Sequence, residues 1–285
     1  MDDLPSCDPE NKLSFAMTQK LAEVVYKPIW FCIYCSDGRI KEATKRKLEA
    51  EHIIPFGLGG LQILPRSSCK KCATITGKFE GTVQRMMLGP TRIRMGLPTR
   101  RPDERPTELT LFLSEPNGSG SEERKIPAHE FPFVIPGLIL PPPGILTGER
   151  RHNKIVGESW IGYADEKVTK IHLETGKAVR VATFNNLLFS QMLAKIAHAY
   201  AVAEWGFHSF RPLLLDLILN RTDTIAYWVG GSGPVKPADT TGLHRLELRR
   251  EILLGTEYVV CYIRLFCNFG TPEYRVVVGT WNEGR

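Results

Sequence analysis

Two Cys-x-x-Cys pairs, Cys32/Cys35 and Cys69/Cys72, lie 33 residues apart near the start of this 285-residue chain. Each pair sets two thiolates on one tight turn, and two such turns supply the four sulfurs that a tetrahedral structural zinc takes. The interval is longer than in a simple zinc ribbon, so a folded insertion must sit between the knuckles. A disulfide framework is the weaker reading. The seven cysteines are odd in number, and Asp2 and Asp3 put negative charge where a secretory leader is positive.

The insertion carries its own chemistry. Glu51-His52-Ile53-Ile54-Pro55 sets a carboxylate beside an imidazole, ahead of the turn Gly57-Leu58-Gly59-Gly60. Held on a metal-stapled scaffold, such a pair points to metal-assisted hydrolysis. For His52 alone the plain alternative is a capped or buried structural histidine, which its setting between Glu51 and Ile53-Ile54-Pro55 disfavours.

Phe31-Cys32-Ile33-Tyr34-Cys35, Glu51-His52-Ile53-Ile54-Pro55, Leu58-Gly59-Gly60, Ile63-Leu64-Pro65 and Cys69-Lys70-Lys71-Cys72 together resemble an HNH endonuclease of the four-cysteine type, over about residues 28–82. The resemblance implies a ββα-metal finger, closely related to a treble clef. It implies structural Zn2+ on Cys32, Cys35, Cys69 and Cys72, with His52 as the general base that takes a proton from water, a task suited to imidazole near neutral pH. Glu51, where the family usually has Asp, would be a ligand of a catalytic Mg2+ or Mn2+ ion. The family's central Asn, which pins the loop carrying the base, falls near Gln62. Its last metal ligand falls on Ala73, which cannot bind a metal. If a helix starts in the second knuckle, Thr76 and Glu80 share a face with Ala73 and could supply the missing oxygen, although Glu80 starts about 10 Å further along the axis.

These features imply a metal-dependent nuclease acting on nucleic acid, with DNA ahead of RNA. A zinc-stapled nucleic-acid-binding module that has lost cleavage is the alternative that Ala73 favours, and a zinc-stapled protein-interaction domain is the third. The net charge of +6 permits a polyanionic partner without demanding one. Local clusters are more pointed. Lys41, Lys45, Arg46 and Lys47 precede the Glu-His pair, Lys70, Lys71 and Lys78 surround the second knuckle, and Arg92, Arg94, Arg100, Arg101 and Arg105 follow. For any single one of these, a solvated surface charge is the better reading.

The expected fold class is α+β, an N-terminal finger followed by a mixed domain. Residues 1–27 are expected as a helical lead-in, 28–86 as the zinc module, 87–106 as a Pro- and Arg-rich linker, and 107–285 as an α+β domain of unknown function. Within the module, strands are expected around 31–42 and 49–54, and a helix over 70–86. Beyond it, alternation predicts a strand over 108–114, with a turn at Pro116-Asn117-Gly118-Ser119-Gly120. Prolines break Phe131–Ile145 into an extended segment packed across another domain. Residues 160–181 read as strands around turns, including Glu174-Thr175-Gly176. A helix over 184–205 ends at Gly206, a second spans 210–220, and strands cover 243–248, 258–266 and 274–280. Cys261 and Cys267 read as buried free thiols. His198 reads as a packed or surface residue, and the remaining histidines, His244 among them, show no ligand spacing. The second domain is expected to recognise the target or mediate self-association as a homo-oligomer. No apolar run reaches the 18 to 20 or so residues that span a bilayer, so no membrane is expected and the cytoplasm is the expected location.

Overall fold

The computed structural model describes residues 23–35, 47–117, 120–149, 159–164, 166–180, 184–232, 236, 238 and 242–282. The expected lead-in before residue 23, the part of the expected 31–42 strand beyond residue 35, and Lys41, Lys45 and Arg46 lie outside the described residues, and the described part of that strand, residues 31–35, is a turn. Val24–Val25 (β1), expected at the end of a helix, is a short strand running parallel to β3 (Gln62–Ser68). Two β-branched residues suit that exposed edge better than a helix terminus.

β2 (Glu49–His52) pairs antiparallel with β3, placing His52 opposite Ile63 and Glu51 opposite Leu64. Pro55 ends the strand direction, and a 3-10 turn over Phe56–Leu58 closes on Gly59 at φ 83°. Gly60 is needed for a different reason: a Cβ there would stand 1.9 Å from the Ile54 carbonyl oxygen. Helix α1 (Lys70–Thr82) starts at Cys69 and continues as a π-turn over Val83–Met87. The module therefore has a knuckle, a hairpin and a helix in that order.

The stretch expected as a linker is folded. It contains α2 (Gly89–Arg94), with Pro90 in the first turn where its missing N–H costs nothing, and buried Thr91 and Met95. β4 (Glu108–Ser114) pairs with β5 (Ser121–Pro127) and later with β8 (Ala178–Arg180). β6 (Val134–Ile139) pairs with β7 (Ser159–Ala164), and α3 (Gly144–Thr147) lies between them in sequence. The segment over 160–181 also holds a helix, α4 (Glu166–Thr175), where strands were expected. Gly176, read from sequence as part of a turn, follows that helix at φ 65°, the backbone that commonly stops one.

α5 (Asn186–Trp205) is the longest helix, capped by the Asn185 side chain accepting from the Leu188 N–H. The helix expected over 210–220 is mostly something else. β9 (Phe210–Pro212) pairs with the far end of β13, an edge position that tolerates Pro212, and only Leu215–Ile218 (α6) is helical. β10 (Val229–Gly231), β11 (His244–Leu253), β12 (Thr256–Leu265) and β13 (Tyr274–Trp281) complete an antiparallel sheet in the order β10-β13-β12-β11. The fold class is α+β.

One core cluster reaches from Cys32, Tyr34, Ile53 and Leu64 through Phe79 and Val83 to the buried face of α5 and on to Val276 and Val278. The hairpin and α1 thus lie directly against α5. Cys261 and Cys267 are buried free thiols, as expected. Among the described residues no helix is long and apolar enough to cross a membrane.

Candidate functional site

The four cysteines meet. Their sulfurs all lie within 4.8 Å of one another, and the Cys35 and Cys69 sulfurs are 3.7 Å apart. A tetrahedron with metal–sulfur bonds of about 2.3 Å has edges of about 3.8 Å, so the set fits a bound zinc ion. The thiols are also electrically frustrated without a cation. The Cys72 thiol donating to Cys32 holds Cys32 down at about 5, while the same contact pushes Cys72 upward, and burial, aided by the Cys32 charge, raises Cys35 to about 11. A dication would let all four ionise.

One strand away, β2 carries Glu51 and His52. Glu51 is buried, and its carboxylate Oε1 lies 2.7 Å from the Lys195 ammonium of α5. Glu80, on the third turn of α1, approaches the same Nζ at 2.8 Å. Lys195 is 0% exposed and also donates to the backbone carbonyl oxygens of His52 and, at 3.3 Å, of Ile53. Tyr34 completes the enclosure; burial and the two carboxylates hold its hydroxyl well above the ordinary phenol range. Burial raises Glu80 to about 7 against the pull of Lys195.

His52 is half-buried beside the Phe56 ring, with ring centroids 5.5 Å apart. Burial first, then the Lys195 charge, lowers its pKa from the ordinary value, so the ring is neutral at pH 7. It opens on a cleft of about 560 Å³, which Glu51, Ala73, Thr76, Glu80, Arg85 and Arg100 help to line. Arg85 and Arg100 are exposed and make no ion pair among the described residues. Arg92 has a structural task, donating to the carbonyls of Gly57, Gln84 and Pro98 and so tying the turn after His52 to α2.

The sequence-derived site residues divide accordingly. Cys32, Cys35, Cys69 and Cys72 converge, and Glu51, His52 and Glu80 share one cleft. The Gln62 side chain turns to Tyr26, donating to its hydroxyl at 3.2 Å, and it is the Gln62 backbone carbonyl that holds the Ile53 N–H at 2.9 Å. Thr76 lines the cleft, but its hydroxyl donates to the Ala73 carbonyl at 3.3 Å.

The carboxylates do not suit the divalent ion that the sequence pattern suggested. Glu51, Glu80 and Lys195 carry a net charge of −1 at most, and zero once Glu80 is protonated. The Lys195 ammonium already stands 2.7 Å from Glu51 and 2.8 Å from Glu80, so a divalent ion on these carboxylates would have to displace a cation that is itself fully buried.

Sequence reasoning missed Lys195 as part of this site, and also the tasks of two histidines. His198 Nε2 donates to the Ile33 carbonyl at 2.8 Å, fastening α5 to the first knuckle. His244 Nε2 donates to the Leu58 carbonyl at 2.7 Å while its Nδ1 accepts from the Phe266 N–H, fastening β11 to the turn after His52. A signal for two of the three was present: Lys195 and His198, three residues apart, are the two basic residues of a helix whose middle is mostly apolar. Beside the cleft is a more apolar cavity of about 730 Å³ that shares Arg85 and Arg100 with it and is floored by Ile93, Leu109 and Phe112. Comparison with known proteins gives no match: no family model, no curated protein and no solved structure matches this chain.

Proposed function

We propose that this chain is an HNH-type nuclease that hydrolyses phosphodiester bonds in nucleic acid, with DNA the expected substrate ahead of RNA, on a zinc-stapled ββα finger. The observation that carries the reading is His52: a neutral imidazole on the hairpin beside the four-cysteine cluster, facing a cleft that two exposed arginines border. In this reading His52 accepts the proton of the attacking water. Arg85 and Arg100 meet the phosphate charge, and the ionic contact makes binding fall steeply with salt. Zinc, when bound, fixes the hairpin and takes no part in the chemistry.

A second reading has its own support. Ala73 removes one expected metal ligand and Lys195 engages the other, which favours a zinc-stapled module that binds nucleic acid without cutting it.

The deciding experiment is nicking of supercoiled plasmid by zinc-loaded protein, with Mg2+ or Mn2+ added or omitted, beside His52→Ala. The nuclease reading expects nicking that disappears in His52→Ala while zinc content and circular dichroism stay the same. Salt-sensitive DNA retention with no nicking in any condition selects the second reading.

A further inference from the structure

We propose that the Lys195 ammonium is the built-in cation of this site, standing between Glu51 and Glu80 where a divalent ion would otherwise bind and anchoring the backbone that presents His52. The inference deepens the nuclease reading and rests on it for its catalytic meaning, but its geometry stands apart from any cleavage.

Four oxygens surround one fully buried Nζ, two in ion-pair contact and two accepting its hydrogen bonds. Two are carboxylate oxygens from different elements of the finger, Glu51 on β2 and Glu80 on α1. Two are consecutive backbone carbonyls, His52 and Ile53, at the point where β2 leaves the sheet. An array of hard oxygen donors around a single positive charge is the environment a divalent ion would require. Here a side chain from α5 supplies the charge instead. A lysine placed only to pack would keep its ammonium in water at the end of its methylene stem. This one is fully buried, which is sustained by two backbone carbonyls that accept from it and two carboxylates that stand beside it.

The arrangement makes Lys195 a positioning residue. It touches no reacting atom, but it fixes the carbonyl of the residue whose ring faces the cleft. It also makes the finger's site incomplete without α5, although the finger supplies every motif visible in the sequence.

The test reads metal binding rather than activity. Zinc-loaded wild-type protein and Glu51→Gln are titrated with Mn2+, and the free hexaaquo ion is followed by electron paramagnetic resonance. The two titrations are expected to superimpose. One Mn2+ site per chain in the wild type that disappears in Glu51→Gln would overturn the proposal, whether or not the protein cuts DNA. Lys195→Met is the converse experiment: with the ammonium gone, the freed carboxylates should gain one Mn2+ site per chain. A folded Lys195→Met that gains none would also overturn it. If that variant does not fold, the wild-type and Glu51→Gln comparison decides alone.

Discussion

Lys195 on α5 lies 2.7 Å from the Glu51 carboxylate on β2, and its ammonium is fully buried there. It joins the helix best marked in the second half of the sequence to the residue beside the proposed catalytic base. Removing one member of such a network leaves a buried charge without compensation, whereas replacing the whole network with neutral groups does not. Lys195→Met should therefore cost about 3–5 kcal/mol. The triple variant Lys195→Met/Glu51→Gln/Glu80→Gln should recover most of that loss. Urea unfolding midpoints with unchanged m-values would measure both, and a triple variant as unstable as the single one would contradict the account.

The cysteine cluster predicts an all-or-none dependence on metal. Cys69→Ser should lower the zinc content from one per chain to none, as measured by elemental analysis. Zinc binding in such sites contributes about 10–16 kcal/mol of apparent free energy, so the knuckle, β2, β3 and α1 should lose hydrogen-exchange protection together. Retained protection in a zinc-free Cys69→Ser protein would show that packing against α5 alone holds the finger.

Stability should fall in acid, with a slope that Glu80 moderates. Burial lowers His198 and His244 to about 4 each, from an ordinary value of 6.5. A histidine depressed by folding contributes stability that is complete above pH 6.5 and is lost as pH falls toward 4. Glu80 runs the other way: folding raises it from 4.5 to about 7, so its contribution is present at low pH and lost as pH rises through that interval. Between about pH 4.5 and 6.5 the unfolded chain holds two more histidine protons and one fewer carboxyl proton. The net is one proton, or about 1.4 kcal/mol per pH unit. Glu80→Gln removes the opposing proton, so the slope should steepen to about 2.7 kcal/mol per unit. Thermal unfolding of both proteins across pH 4.5–6.5 provides the comparison.

Gly60 and Gly59 should respond differently to alanine. At Gly60 the new Cβ would meet the Ile54 carbonyl oxygen at 1.9 Å, a backbone atom that cannot step aside. Gly60→Ala should cost about 2–3 kcal/mol and displace the turn after His52, so any nicking activity should fall further than stability does. At Gly59 the nearest atom is the end of the Leu243 side chain at 3.3 Å, and the penalty comes from φ 83°. Gly59→Ala should cost about 1 kcal/mol. Equal losses in the two variants would count against the clash as the cause.

Much of this protein is determined locally, and that part is visible in its sequence. Each Cys-x-x-Cys turn aims its own sulfurs, Pro55 and the following glycines turn the hairpin back, and apolar spacing gives α5, β4 and the C-terminal strands. The same local rules gave a wrong result at Phe210–Pro212, where the open side of β13 recruits residues that look helical in isolation, and at Glu166–Thr175, where a glycine stops a helix rather than making a turn between strands. They could not show what Glu51 faces. Its partner Lys195 is separated from it by most of the finger and the whole middle of the chain, and in an unfolded chain both would remain solvated. Only when α5 packs on the hairpin does the loss of water force the ammonium and the two carboxylates together. Motif spacing specified the four cysteines, Glu51 and His52; burial placed the Lys195 ammonium between Glu51 and Glu80.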